Sequence, residues 1–185
     1  MANGAAIPVI AAGLKDKVSK VGLLLLDVDG VLTDGRIIYD SRGRDSKFFD
    51  VHDGLGVYLL KRAGIPTVLI TAKGSRAIKP RARDMRVDAV YENVSPKSSV
   101  LEKILVKYGR NAEEACFVGD DLVDLCMMKR VGVPIAVANA CEDIKRAAVY
   151  VTARSGGRGA VREIAELILK TRGQWEELIG KYYDV

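Results

Sequence analysis

Short apolar runs of strand length alternate along this chain with segments of helical period, and that alternation confines it to one broad architecture. The runs are residues 22–26, 67–70, 89–91, 115–118, 134–137 and 149–151. Between them, Val100, Leu101, Ile104, Leu105 and Tyr108 fall on one helical face, as do Val161, Ile164, Ala165 and Ile168. Strands that are apolar throughout are buried on both sides, which happens when crossover helices cover a parallel sheet. The predicted fold class is α/β: a doubly wound, three-layer α/β/α arrangement with a mostly parallel sheet. Gly64, Gly109 and Gly132 are placed as helix stops. With 185 residues and 49% hydrophobic content, the chain can bury a full core as one domain spanning 1–185.

One segment breaks the βα rhythm. Residues 36–40 and 46–50 flank Ser41-Arg42-Gly43-Arg44, the pattern of a β-hairpin, here a flap over residues 34–50. Ile37, Ile38, Tyr39, Phe48 and Phe49 are too many apolar side chains to leave wet on a projecting ribbon. An isolated hairpin is marginal in water. Two readings stand side by side: other subunits cover the flap, or it folds back on its own sheet.

Three of the apolar runs end in polar residues suited to one chemistry. The first leads into Asp27-Val28-Asp29-Gly30-Val31-Leu32-Thr33-Asp34-Gly35, the second into Thr71, and the fourth into Gly119-Asp120-Asp121-Leu122-Val123-Asp124. Ligands of open α/β sheets bind at the carboxyl ends of the strands, so these termini can share one crevice. Asp27 and Asp29 leave an extended backbone on the same side. A lone Asp-x-Asp often does no more than close a strand and open a turn, but three such termini suit phosphoryl transfer, which needs an oriented nucleophile, a held cation and donors on the phosphoryl oxygens. In that chemistry Asp27 attacks phosphorus and carries the group as an aspartyl phosphate. Asp29 protonates the leaving oxygen and later takes a proton from water. Asp120, with Asp121 or Asp124 in support, holds the metal. Helix capping accounts for one of these three carboxylates. His52 is the only histidine and no thiol cluster accompanies it, so an oxygen-only site for Mg²⁺ is expected rather than zinc. Thr71 and the amides before a helix starting near Ser75 are placed on the phosphate. Ser95 and Pro96 read as an N-cap and first helical residue, putting Lys97 in the first turn, at the sheet's carboxyl edge.

Lys plus Arg total 29 against 24 for Asp plus Glu, a net charge of +5. The excess is scattered, without a dense basic run or interleaved aromatics, and argues against nucleic acid as a partner. Cys116, Cys126 and Cys141 form no Cys-x-x-Cys pair and read as buried free thiols, as in a reducing compartment. The apolar stretch 5–14 lacks a preceding Lys or Arg and contains Pro8, so residues 1–18 are read as a short leader rather than a signal peptide. No stretch approaches the length of a membrane-spanning helix, and a cytoplasmic protein without membrane contact is the expectation.

The motifs Asp-Val-Asp-Gly-Val-Leu-Thr-Asp-Gly, Thr71, Lys97 and Gly-Asp-Asp-Leu-Val-Asp-Leu, in that order and spacing, resemble the haloacid dehalogenase superfamily phosphatases of the small capless type. The hairpin, the stretch from Lys47-Phe48-Phe49 to Asp53-Gly54-Leu55-Gly56, and Gly156-Gly157-Arg158-Gly159 resemble a subgroup acting on phosphorylated sugar acids. The resemblance implies a Rossmann-like fold, Mg²⁺ held by Asp27, the Asp29 carbonyl and Asp120, and a homotetramer whose central hairpins replace a cap. It places the tail, residues 174–185, near an adjoining site, although Trp175, Leu178 and Ile179 equally suit a packed last helix. The family usually has Thr-Gly-Arg where this chain has Thr71-Ala72-Lys73, exchanging a planar fork for a point charge. Relatives acting on nine-carbon sialic-type acids tend to be acidic there, so Lys73 favours an eight-carbon acid. Arg81 and Arg158 are further candidates for substrate binding, against a solvated helix face and a plain turn. Two other classes remain: a phospho-accepting receiver, disfavoured because its acidic pair would come first and its acceptor Asp later, and a catalytically silent assembly domain.

Overall fold

The computed structural model describes residues 12–182. Helix α1 (Ala12–Ser19) leads into β1 (Leu23–Leu26), followed by a hairpin of β2 (Ile38–Tyr39) and β3 (Asp45–Ser46) and by α2 (Val51–Arg62). Next come β4 (Thr67–Ile70), α3 (Ile78–Asp84), β5 (Ala89–Tyr91), α4 (Leu101–Tyr108) and β6 (Ala115–Gly119). The chain continues through α5 (Leu125–Met128), β7 (Val133–Ala136), α6 (Glu142–Ala147) and β8 (Tyr150–Val151) to α7 (Ala160–Thr171) and α8 (Trp175–Gly180).

Six strands form one parallel sheet in the order β5-β4-β1-β6-β7-β8. The chain winds outward from β1 through β4 to β5, then returns to β1's other side and winds outward again. That doubly wound order makes the β1–β6 boundary the switch point, where a crevice opens beyond the strand ends. β1 is four consecutive leucines, all buried, because helices cover both sides of a central strand. Phe117 of β6 is among the largest fully buried side chains.

Helix α2 packs along α7, with α1 and α8 also against α7. Two glycines inside α2 weaken it as an isolated helix, but Gly56 permits the close crossing. A side chain there would meet the Arg162 backbone at 3.0 Å and the Ala165 methyl at 3.2 Å. The leader is helical from Ala12 and buries Val18; its residues 1–11 lie outside the described part. The tail forms a short helix whose Leu178 is buried and whose Trp175 ring receives Arg162 and Lys170, with 183–185 outside the described part.

Three expectations change. The hairpin pairs only two residues on each side and stands apart from the main sheet, with Ile37, Ile38, Tyr39 and Phe48 exposed, so it does not fold back on its own sheet. Only Cys116 is buried; Cys126 and Cys141 are half-buried, because they fall near the surface ends of short helices. Gly64 and Gly109 end α2 and α4 with positive φ, but Gly132 takes no positive φ. It is glycine because a side chain would collide with the Glu113 backbone.

These two kinds of glycine should respond differently to alanine. Gly109→Ala has open space around its new methyl and meets only the left-handed backbone cost, about 1–2 kcal/mol. Gly132→Ala requires backbone to move and is expected to lower the free energy of unfolding in urea by more than Gly109→Ala.

Candidate active site

The switch point gathers the acidic residues. Asp27 follows β1 and donates its backbone N–H to the Val118 carbonyl of β6 at 3.1 Å, so the two strand ends are laced together. Asp120 follows β6, and Asp124 closes the 3₁₀ turn Leu122–Asp124. One carboxylate oxygen from each of Asp27, Asp120 and Asp124 lies within 4.8 Å of the others. Glycines make the room. A Cβ on Gly30, whose φ is +102°, would collide with the Asp120 carboxylate, and one on Gly119 would meet Asp124. Thr33 fixes the turn after Asp27 by accepting from the Gly30 and Gly35 amides at 3.2 and 3.3 Å.

Lys97 enters this cluster from beyond β5. Its side chain is buried, and its ammonium donates to Asp27 Oδ1 and, at 2.6 Å, to Asp124 Oδ1. Asp124 in turn accepts the Asp120 backbone N–H at 3.0 Å. Burial pushes the Asp27 carboxyl up to about 7, against the pull of Lys97. Burial, then the neighbouring Asp124, pushes Asp120 up to about 7 as well. Burial alone would depress the Lys97 ammonium, but Asp27 and Asp124 outweigh it and raise it. The site thus holds more negative charge than Lys97 balances, a condition that attracts a further cation.

A cleft of about 270 Å³ opens above, lined by Asp27, Asp29, Thr71, Lys73, Lys97 and Asp120 among others. Thr71, at the end of β4, is buried and bridges the Lys73 backbone, donating to its carbonyl at 3.0 Å and accepting its N–H at 3.1 Å. Lys73 is exposed and donates to the Tyr39 hydroxyl of the flap at 2.8 Å, a bond that raises its ammonium. Asp29 turns its carboxylate toward Lys47, at the base of the flap.

Other expected residues sit elsewhere. Asp121 is exposed on the rim and caps the following turn through the Leu122 N–H at 2.8 Å, which leaves Asp124 as the third member of the cluster. Arg81 does not line the cleft. It donates to the Asp50 carbonyl at 2.7 Å and lies over the Phe49 ring, because α3 faces the start of α2 there. Arg158 lines a separate hollow of about 450 Å³ with Phe48 and His52, near Asp34 at 3.5 Å. The helix expected near Ser75 begins at Ile78, with the Ser75 hydroxyl accepting the Ala77 N–H instead. Pro96 is extended rather than helical, and Lys97 opens the turn.

Three contributors were not foreseen. Lys47 stood out only as the start of a stretch shared with the sugar-acid subgroup, and nothing local to it placed its side chain at the site. Asp53 looks like an ordinary acidic residue in the first turn of α2. It is buried, and its Oδ1 accepts the Arg162 N–H at 2.8 Å, capping α7 across 109 positions of sequence. Burial raises its carboxyl to about 6. Asn139 accepts the Gly156 N–H at 2.7 Å, and Gly157 donates to Val31 at 2.9 Å, so the Gly-Gly-Arg-Gly loop presses on the turn that carries Asp27 and Asp29. A side chain at Gly156 would collide with the Gly30 carbonyl.

Residues 81–164 match the haloacid dehalogenase-like hydrolase family. The chain is 36% identical to the 3-deoxy-D-manno-octulosonate 8-phosphate phosphatase KdsC of Escherichia coli, over 93% of this chain and 92% of that one. Among solved structures it is similar to the Moraxella catarrhalis 3-deoxy-D-manno-octulosonate 8-phosphate phosphatase in complex with magnesium ion, phosphate ion and KDO. The TM-score is 0.89 at 36% identity, covering 92% of this chain and 98% of that one. The cobalt-bound deoxy-D-mannose-octulosonate 8-phosphate phosphatase of Haemophilus influenzae aligns with TM-score 0.82 at 34% identity, covering 85% and 92%.

Removing the buried cation tests this charge arrangement. Lys97→Met strands two buried carboxylates and should destabilise the metal-free protein by about 3–5 kcal/mol in urea at pH 8. The loss should shrink toward pH 5, because a protonated Asp27 no longer needs a counter-ion.

Proposed function

The chain belongs to the haloacid dehalogenase-like hydrolases, and within them to the 3-deoxy-D-manno-octulosonate (KDO) 8-phosphate phosphatase family, and from that premise we propose a magnesium-dependent phosphomonoesterase that releases KDO and phosphate. Its product feeds lipopolysaccharide precursor synthesis. The observation that carries the reading is the convergence of the Asp27, Asp120 and Asp124 carboxylates beside Lys97 at the switch point.

The donor set fits Mg²⁺. It is all oxygen, the sole histidine is exposed beside Asp50, and the space beside Asp120 exists only because residue 30 is glycine. Asp27, the Asp29 carbonyl and Asp120 would hold the ion, with Asp124 behind them. Bound there, Mg²⁺ neutralises the phosphoryl oxygens and the excess carboxylate charge.

The residues then divide the work. Asp27 attacks phosphorus as the ester P–O bond breaks, and Asp29 gives its proton to the departing sugar oxygen. Water next attacks phosphorus while Asp29 takes its proton, the aspartyl P–O bond breaks, and phosphate leaves. Lys97 keeps Asp27 oriented and offsets charge on the phosphoryl group. The Thr71 hydroxyl, already at the cleft wall, donates to a phosphoryl oxygen once it turns from the Lys73 carbonyl. Lys73 offers its ammonium to the sugar acid's carboxylate at the cleft mouth, and a cation at this position, where nine-carbon sialic-type relatives tend to be acidic, supports the eight-carbon acid.

We read residues 1–185 as one catalytic domain. A homotetramer is the proposed assembly, supported by the flap's exposed Ile37, Ile38, Tyr39 and Phe48, which a neighbouring subunit would cover. Among the described residues no helix is long and apolar enough to cross a membrane. Unpaired cysteines support a cytoplasmic location.

Phosphate release should be fastest with KDO 8-phosphate, slower with a sialic-type 9-phosphate or simple sugar phosphates, and lost on chelation until Mg²⁺ is restored. Asp27→Asn should fold normally and release no phosphate; turnover near the wild-type rate would remove it as nucleophile. Sedimentation of the native protein should give a tetramer, and a monomer at micromolar concentration would contradict the proposed assembly.

A further inference from the structure

Lys47 is an unusual lysine. It sits on the hairpin's last strand side, immediately after β3, yet its side chain is only 5% exposed. A buried ammonium is costly unless it is paired. Its partners are Asp29 Oδ1, by a direct hydrogen bond, and Asp45 Oδ2 at 3.8 Å. The flap therefore drives a charged group down onto the site instead of leaving it in solvent.

Asp29 needs such a partner. It lies on the turn after β1, and its side chain is 29% exposed. Among the described residues its other oxygen, Oδ2, accepts no hydrogen bond. A carboxyl that must transfer a proton has to stand about 2.6–3.2 Å from the receiving oxygen, and a free side chain at a turn spends little time there. A second tie, from Tyr39 to Lys73, holds the opposite strand of the hairpin to the end of β4. The flap is thus fastened to the cleft at both strands, once through the acid–base residue itself.

We propose that Lys47 is a positioning residue for Asp29: its ammonium holds Oδ1 so that Oδ2 faces the departing ester oxygen, and it couples the flap's placement to proton transfer. This rests on the assignment of Asp29 as acid and base. In the first half-reaction the proton passes from Oδ2 to the ester oxygen as that oxygen leaves phosphorus, and the ammonium retains its three protons throughout. The carboxylate left behind stays paired with Lys47, ready to take a proton from the hydrolytic water.

The test is a series of substituted phenyl phosphates, using kcat/KM, which reports only steps up to departure of the phenol. Good leaving groups need little help from an acid and poor ones need much. Asp29→Asn should therefore steepen the dependence on leaving-group basicity. Lys47→Met should steepen it too, losing roughly 10- to 100-fold on phenyl phosphate and less than about threefold on p-nitrophenyl phosphate, while Lys47→Arg recovers most of the loss. Should Lys47→Met fail to fold, as its melting curve would reveal, Lys47→Gln serves for the same comparison. An equal fall on every ester, or an unchanged slope, overturns the positioning role. A slope left unchanged by Asp29→Asn removes the acid assignment itself, and that result is read independently of any change at Lys47.

Discussion

The Lys97 ammonium, buried between Asp27 and Asp124, is the contact on which the rest of this site depends. Without it the ends of β1 and β6 would bring together carboxylates in a low-dielectric setting with no cation among them, a costly arrangement. With it, Asp124 is held so that its other oxygen takes the Asp120 N–H, and Asp120 is set against the glycine at position 30. One charge so organises residues from three separate segments. The balance is incomplete, because burial keeps Asp27 and Asp120 well above the usual carboxylate range. That residual charge gives a divalent ion its place.

A second lysine extends the same logic to the flap. Lys47 on Asp29 and Lys73 on Tyr39 fasten both hairpin strands to strand ends of the sheet. On the other side, the Gly-Gly-Arg-Gly loop presses on the turn after β1, and Asp53 holds the start of α7 behind it. The turn that carries Asp27 and Asp29 is clamped from two directions, by the flap and by the Gly-Gly-Arg-Gly loop. Such clamping fixes the side chains that line the cleft before any ligand enters it.

Much of this was legible in the residues. Asp27, Thr71, Lys97 and Asp120 each follow an apolar run or its connecting loop, and runs buried on both sides announce a parallel sheet whose carboxyl ends meet. The hairpin showed itself by its turn and its branched and aromatic flanks. Arg81 misled because a helix face near a strand end gives no information on which neighbour its guanidinium meets. Here that neighbour is the Asp50 carbonyl. Gly132 misled because glycine serves both left-handed caps and tight backbone approaches, and one-dimensional spacing does not tell them apart.

The sequence by itself determined the strand and helix alternation, the order of the four motifs along the chain and the all-oxygen character of the acidic cluster, since each depends on local pattern or on residue type. Tertiary structure alone decided that Asp124 rather than Asp121 joins the cluster, that Lys47 reaches Asp29 and that Asp53 caps a helix far along the chain. The physical reason is range. Periodicity and turn chemistry act over a few residues, whereas a buried charge takes its partner from whichever segment packing brings within hydrogen-bond distance.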